Sequence, residues 1–330
     1  MSKIVTITLN PSIDKSISVP SLIADQKIKC TDVQFEPGGG GINISRAIKR
    51  LGGKSKAFFF SGGNFGNFFI ELIKTKKIDY QSFKIKAETR ECVIVFDESN
   101  SNQYLLDVKG PNVTSSESNS FLKAISKLKQ VDYLVVSGSL PTGIPNDYFV
   151  QLAKIAKKIG AKFILDTSGE PLKMALNEGV YLTKPNLREM GLLFGIEKIE
   201  LAVAKEKAIE LVQLKKAEIV VVSLGADGAL VVTKDFAEHF PAPKVKKIST
   251  VGAGDSMVAG IVLKLSKGKT IQEAIQYGLA SGSATTMNAG GILCTKEDAD
   301  RLYRTAAKRS GELRNELFSV KDKNSCETRT

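Results

Sequence analysis

Apolar runs and amphipathic stretches alternate along most of this 330-residue chain, and no other feature restricts its fold as strongly. IVTITL is followed by INISRAIKRLGG and KAFFFSG by FGNFFIELIKTKK. The rhythm returns in FLKAISKLKQ then DYLVVSG, in YFVQLAKIAKKIG then AKFILDTS, and in AIELVQLKKA before EIVVVSLG. A residue period near two that gives way repeatedly to one near 3.6 marks βα units, and such units in series build a largely parallel sheet covered by helices. The expected class is α/β. The last third turns helical, from AGDSMVAGIVLKLSKG to EDADRLYRTAAKR.

Two segments break the rhythm. Residues 12–36 and 82–108 carry alternating strand patterns with turn residues and no helix between them, which predicts antiparallel strands in a separate small sheet. Strands that leave a parallel sheet near its strand ends are well placed to form a lid over a ligand crevice. Beyond about residue 309 apolar density falls, and a charged, flexible tail over 309–330 is expected.

Composition narrows the chemistry. One histidine, His239, lies in KDFAEHF and reads as a surface residue; a chain so poor in imidazole leaves acid-base work to Asp, Glu or Lys. Four cysteines stand singly without a CxxC pair, which suggests neither a disulfide framework nor a thiolate zinc site; Cys30, Cys92 and Cys294 read as small buried hydrophobes. A formal charge of +12, dispersed without a basic block, suits phosphorylated small molecules better than nucleic acid. No apolar run nears the roughly 18 residues of a membrane span and no signal peptide opens the chain, so a cytoplasmic protein is expected.

The strongest local signal is STVGAGDSMVAGIVLKL, residues 249–265. Gly252, Ala253 and Gly254 have little or no side chain and precede a helical pattern, so backbone N–H groups point at whatever sits there. Asp255 in that first turn reads as a helix-start acid or as an acceptor for an alcohol proton beside an anion hole, the arrangement phosphoryl transfer uses. A second glycine run, Gly38 to Gly41, precedes another helix whose first turn carries Asn43. In LTKPNLREM, Lys184, Asn186 and Glu189 follow a strand. Asn186 and Glu189, three apart, suit the waters around a magnesium ion or a plain capping box equally well. VVVSLGADGAL carries Ser223 and Gly225 into a hairpin or a nucleotide-phosphate loop.

The order NPSID, GGGGIN, SGSLPTG, KPNLRE, VSLGADGA and TVGAGDSMVAG, over about residues 3–308, resembles the PfkB or ribokinase-like family of carbohydrate kinases, and within it the hexose-phosphate kinases. The resemblance implies a ribokinase-like three-layer fold, one kinase domain over 1–308 with the β lid, and ATP-dependent phosphorylation of a hexose phosphate. Fructose 6-phosphate comes first, with fructose 1-phosphate and tagatose 6-phosphate as alternatives and a catalytically silent sugar-phosphate-binding regulator as the rival of another class.

Carried onto this sequence, the resemblance makes Asp255 the base and Gly252, Ala253 and Gly254 the anion hole. Asp14, Gly38, Gly39 and Asn43 would hold sugar hydroxyls, and Arg90 and Ser139 the sugar phosphate. Lys27, Lys184, Asn186, Ser223 and Gly225 would serve the nucleotide, with Lys27 reaching across a homodimer built through the lid. Glu189 would hold Mg²⁺ through water, and Ser249, Val251, Asn288 and Gly290 match a potassium position. One departure stands out: where relatives of the minor 6-phosphofructokinase type carry a lid arginine after a QY pair, this chain has Leu105.

Overall fold

The computed structural model of the chain describes residues 3–306; the tail from 309 onward lies outside them, as does Cys326. The chain begins with β1 (Ile4–Thr8), leaves the sheet for β2 (Ser12–Val19) and β3 (Thr31–Gly38), and enters α1 (Gly40–Arg50). β4 (Lys56–Ser61), α2 (Gly63–Thr75) and β5 (Asp79–Lys84) follow, then a second excursion through β6 (Arg90–Asp97) and β7 (Asn102–Asp107). Next come α3 (Ser115–Ile125), β8 (Tyr133–Ser137), α4 (Tyr148–Ile159), β9 (Lys162–Asp166), α5 (Gly169–Glu178) and β10 (Val180–Thr183). After α6 (Leu187–Phe194), α7 (Leu201–Gln213) and β11 (Ala217–Ser223), a hairpin of β12 (Ala229–Val232) and β13 (Ala237–Phe240) leads to α8 (Ala253–Leu265) and α9 (Ile271–Thr286). A last helix covers residues 296–306.

The large sheet has the order β13-β12-β11-β10-β9-β8-β1-β4-β5. It is parallel from β5 to β11 and antiparallel only at the β12–β13 edge. Strand alternation sorts its side chains onto two faces, with Ala57 and Phe59 of β4 joining Phe69 and Ile73 of α2 in a smaller third cluster. Val5, Ile7, Phe58, Phe60, Leu134, Val136 and Leu165 face the layer of α3 to α7, while Ile4, Tyr133, Val135, Ile164 and Leu182 meet α1, α8 and α9 on the other side. Each side chain so removed from water contributes about 1.5–3 kcal/mol before ordering entropy is counted.

Successive strands run outward from β1 in opposite directions, to β4 on one side and β8 on the other. That reversal opens a crevice at the carboxyl ends of β1 and β8, the usual ligand position in an open α/β sheet.

The second sheet has the order β3-β2-β6-β7. It corrects the expectation of an all-antiparallel lid: β2–β3 and β6–β7 are antiparallel hairpins, but β2 and β6 run parallel, with Ser12 beside Arg90 and Asp14 beside Cys92. The reason lies in the large sheet. β2 and β6 leave the parallel strands β1 and β5 at their carboxyl ends, so both travel the same way when they meet. Residues 82–84 also fall within β5, which pairs with β4 in the large sheet, so the second lid segment starts at Arg90.

Candidate active site

Asp255 sits in the first turn of α8, on the crevice floor. α8 is apolar almost throughout, with Ser256 to Leu263 buried, and it packs along α9 and α1, so the carboxylate is mounted on a rigid element. The helix opens at Gly252 with φ of 73° and has no side-chain cap. An added Cβ there would be strained by that φ and would lie 2.5 Å from Leu293. Ala253 N–H turns back to the Thr250 carbonyl at 3.2 Å, whereas the N–H groups of Gly252, Gly254 and Asp255 meet no acceptor among the described residues. The open N–H groups at this helix start are therefore those of Gly252, Gly254 and Asp255, while that of Ala253 is taken up by the turn.

Asn43 Nδ2 donates to Asp255 Oδ2 at 3.0 Å, and Ser137 Oγ lies 3.5 Å from Oδ1. Burial, reinforced by the charge of Asp166, pushes the Asp255 carboxyl up to about 6; the Asn43 hydrogen bond and Lys184 pull against that rise. A carboxylate near 6 is a better proton acceptor at neutral pH than an ordinary aspartate.

Beside it lies a cationic wall. Lys184 follows β10, is 7% exposed, and reaches to 3.3 Å from Asp166 Oδ1. A Cβ on Gly254 would stand 3.3 Å from Lys184 Nζ, which brings the ammonium against the open N–H groups. Burial alone would lower the Lys184 pKa, yet Asp166, Glu189 and Asp255 together hold it above the ordinary lysine value. Asn186 and Glu189 form a reciprocal capping box on α6: Glu189 N–H donates to Asn186 Oδ1 at 2.8 Å and Asn186 N–H to Glu189 Oε2 at 2.9 Å. The plainer capping role is therefore present, and Glu189 Oε1 has no hydrogen-bond partner among the described residues. Ser223 N–H donates to the Pro185 carbonyl at 2.9 Å, so the loop after β11 lies against the loop after β10, with Gly225 exposed on it.

The other wall comes from the lid and β1. Asp14 accepts from Ser12 Oγ at 2.6 Å, and a Cβ on Gly38 would lie 2.1 Å from its Oδ2. Burial raises the Asp14 carboxyl, while the Ser12 hydrogen bond and the charges of Arg46 and Arg90 oppose it. Gly39 has φ of 98°, and its missing Cβ would press on Thr8 at 2.6 Å. Arg90 is ion-paired to Asp107, donates through Nη1 to the Val108 carbonyl at 2.9 Å and through Nη2 to the Asn10 carbonyl at 3.2 Å. Its Nε is buried without a partner among the described residues. Asn10 Nδ2 donates to Ser139 Oγ at 3.0 Å, and Asn10 Oδ1 is likewise buried and unpartnered among them. Buried polar atoms left unpaired are costly, so an idle donor on an arginine joined through Asn10 to the exposed Ser139 fits an anionic ligand group.

Residues 2–298 match the model of the pfkB family carbohydrate kinases. The chain belongs to that family. Among this pfkB kinase's relatives, the ATP-dependent 6-phosphofructokinase isozyme 2 of Escherichia coli strain K12 is 38% identical over 304 residues, 92% of this chain and 98% of the relative. The 1-phosphofructokinase of Bacillus subtilis strain 168 is 34% identical over 287 residues, 86% of this chain and 93% of the relative. In structure, the kinase superposes on the Escherichia coli phosphofructokinase-2 solved in complex with potassium with a TM-score of 0.89 at 37% identity, over 93% of this chain and 100% of that one. The ribokinase-like architecture implied by the motif order is thus the fold of this pfkB kinase.

Other expected residues of the kinase divide. Ser249 Oγ donates to Gln103 of the lid at 2.9 Å and lies 3.3 Å from the Gly290 carbonyl, while Val251 N–H donates to Ser249 Oγ at 3.2 Å. The Asn288 amide donates back to the Ala284 carbonyl at 3.1 Å. Lys27 is exposed in the β2–β3 loop. His239 is exposed, as expected, with Nε2 2.6 Å from the Asp227 carbonyl. Cys92 and Cys294 are buried, but Cys30 is exposed, because it stands in the loop just ahead of β3 and not on a packed strand face. Among the described residues no helix is long and apolar enough to cross a membrane.

Sequence reasoning missed Asn10, Ser137 and Asp166. All three lie at or just beyond the carboxyl ends of strands β1, β8 and β9, a shared position that could have flagged them.

Proposed function

We propose that this pfkB kinase transfers the γ-phosphoryl group of ATP to the primary hydroxyl of fructose 6-phosphate, giving fructose 1,6-bisphosphate and ADP. The observation that carries this is Asp255: a carboxylate raised to about 6, set beside the unpartnered N–H groups of Gly252 and Gly254 and within reach of the Lys184 ammonium. Asp255 takes the proton of the attacking hydroxyl as its oxygen bonds to the γ-phosphorus, and the bond to the β-phosphate oxygen breaks to release ADP. The open N–H groups and Lys184 oppose the negative charge on the moving phosphoryl. Asp14, Gly38, Gly39 and Asn43 orient the sugar, Arg90 Nε and Ser139 face its phosphate, and Asn186, Ser223, Gly225 and a partner's Lys27 serve the nucleotide.

The donor set suits magnesium that arrives with the nucleotide. No group of three or more acidic, histidine or cysteine ligands gathers among the described residues, whereas the free Glu189 oxygen can order a water of a phosphate-bound ion. Bound there, the ion would neutralise charge on the β- and γ-phosphates. The neutral oxygens of Ser249 and the Gly290 carbonyl suit potassium, with Val251 and Asn288 on the same loops.

A homodimer through the lid fits its outer face. Asp14, Cys92 and Asp107 are cross-strand neighbours on the crevice face, and strand alternation turns Val33, Phe35, Tyr104 and Leu106 to the other face, all exposed. A second copy laid on that face would remove them from water.

Leu105 favours a second reading of substrate. It stands 58% exposed on the crevice side of the lid, opposite Ile94, where relatives of the minor 6-phosphofructokinase type offer a cation. Fructose 1-phosphate and tagatose 6-phosphate therefore remain the alternatives. ADP release measured with each of these three phosphosugars and with unphosphorylated hexoses decides. Highest kcat/KM with fructose 6-phosphate is expected, and a clear preference for an unphosphorylated sugar would overturn the proposal.

A further inference from the structure

Arg46 lies one turn beyond Asn43 on α1, only 7% exposed, and the mechanism above gives it no part. Its Nη1 donates to Asn43 Oδ1 at 2.9 Å and to the Pro37 carbonyl at 3.0 Å. Its Nη2 is ion-paired to Glu36 and lies 3.4 Å from the Gly291 carbonyl, and Glu36 in turn takes Lys76 at 2.7 Å. A guanidinium carries donors and no acceptor, so the side of Asn43 that faces it must be the carbonyl oxygen. The amide nitrogen is then obliged to face Asp255, as it does. Turned over, the amide would set its oxygen against a carboxylate and its N–H₂ against a guanidinium.

We propose that Arg46 is a positioning residue that, through Asn43, gives the two oxygens of Asp255 different work: Oδ2 is held as a hydrogen-bond acceptor, and Oδ1 receives the proton of the substrate hydroxyl. A proton on Oδ2 would point at the hydrogens of Asn43 Nδ2, which has no lone pair to offer. Among the described residues Oδ1 meets only the Ser137 hydroxyl at 3.5 Å, a group that can donate or accept. The other charged groups that act on Asp255 are Asp166, Lys184 and Asp14, and none of them bonds the Asn43 side chain. The same cation binds the end of β3, next to Gly38, which faces Asp14, so placement of that strand and orientation of the base share one side chain.

The inference rests on Asp255 as the base, and a double-mutant cycle in kcat tests the two separately. The variants are Arg46→Met, Asn43→Ala and the pair, with KM for ATP measured beside kcat. Each single variant is expected to lose kcat by about ten- to a hundredfold, with ATP KM within about twofold of wild type. The pair should lose no more than Asn43→Ala alone, because Arg46 acts through that amide. Losses that multiply in the pair, or an ATP KM that climbs in step with the fall in kcat, overturn the proposal. Should Arg46→Met not accumulate folded, the cycle is run with Arg46→Lys, whose ammonium cannot serve all of these acceptors, and multiplying losses overturn it again. Full activity of Asp255→Asn would refute the base itself. An inactive Asp255→Asn beside a fully active Asn43→Ala would refute only the relay.

Discussion

Asn43 and Asp255 stand 212 positions apart in the chain, yet Asn43 Nδ2 donates to Asp255 Oδ2 at 3.0 Å. The bond joins the first turn of α1 to the first turn of α8, two helices that pack together on one face of the sheet. Through it the glycine-rich entry to α1 and the glycine-rich entry to α8 become one site.

Replacement of the base separates catalysis from helix capping. Asp255→Asn keeps the shape and removes the proton acceptor, so kcat with fructose 6-phosphate should fall by roughly 10²–10⁴ with ATP KM little changed. The folded carboxyl holds its proton more tightly than the unfolded one, so its unfavourable contribution to stability is complete above about pH 6 and gone below 3.8. The same variant should therefore be about 1–3 kcal/mol more stable than wild type at pH 8 and level with it near pH 3.5, read from denaturant midpoints at both pH values. Lower stability at pH 8 would show that Asp255 is there to hold the helix.

The pH profile of the wild type follows from the same group. Catalysis requires ionised Asp255, so kcat/KM should drop on the acid side with a midpoint near 6, about two units above an ordinary aspartate. A flat kcat/KM between pH 5 and pH 8 would rule out its role as base.

Arg90 is tied to Asn10 through Nη2, Asn10 is tied to Ser139, and Arg90 Nε is buried with no partner among the described residues. Arg90→Ala should raise KM for the phosphosugar by about ten- to a hundredfold and leave KM for ATP within about twofold. Equal changes in both constants would remove Arg90 from the phosphate site.

Leu105 lies opposite Ile94 on the crevice side of the lid. Leu105→Arg would add a guanidinium to that face without displacing a buried side chain, and KM for fructose 6-phosphate should fall by about three- to thirtyfold. An unchanged KM would show that the lid at this position does not meet the sugar phosphate.

Association is read on the opposite face of the same sheet. Phe35→Glu together with Leu106→Glu places two charges on the exposed apolar surface and should turn a dimer by light scattering into a monomer with the fold retained by circular dichroism. A wild type that is monomeric at assay concentration with full activity would refute the dimer.

Much of the architecture was legible in the sequence, because periodicity and strand length are local properties. The alternation of apolar runs with amphipathic stretches set the α/β class, and short glycine-rich entries marked where α1 and α8 begin. Asp255 was legible for the same reason, as it lies next to Gly254 and opens a helix pattern. What lay between distant segments was not. The parallel meeting of β2 and β6 depends on the directions in which β1 and β5 leave the large sheet, which no local pattern records. The capping box of Asn186 and Glu189, a contact three residues apart, was legible as one of two readings, but the Lys184–Asp166 pair and the Arg46–Asn43–Asp255 relay depend on which donors and acceptors the packed sheet and helices bring together. Sequence by itself determined which residue types were available and on which elements they would ride. Only the tertiary structure decided which of Asp255's two oxygens is tied down, because that depends on contact across 212 residues of chain.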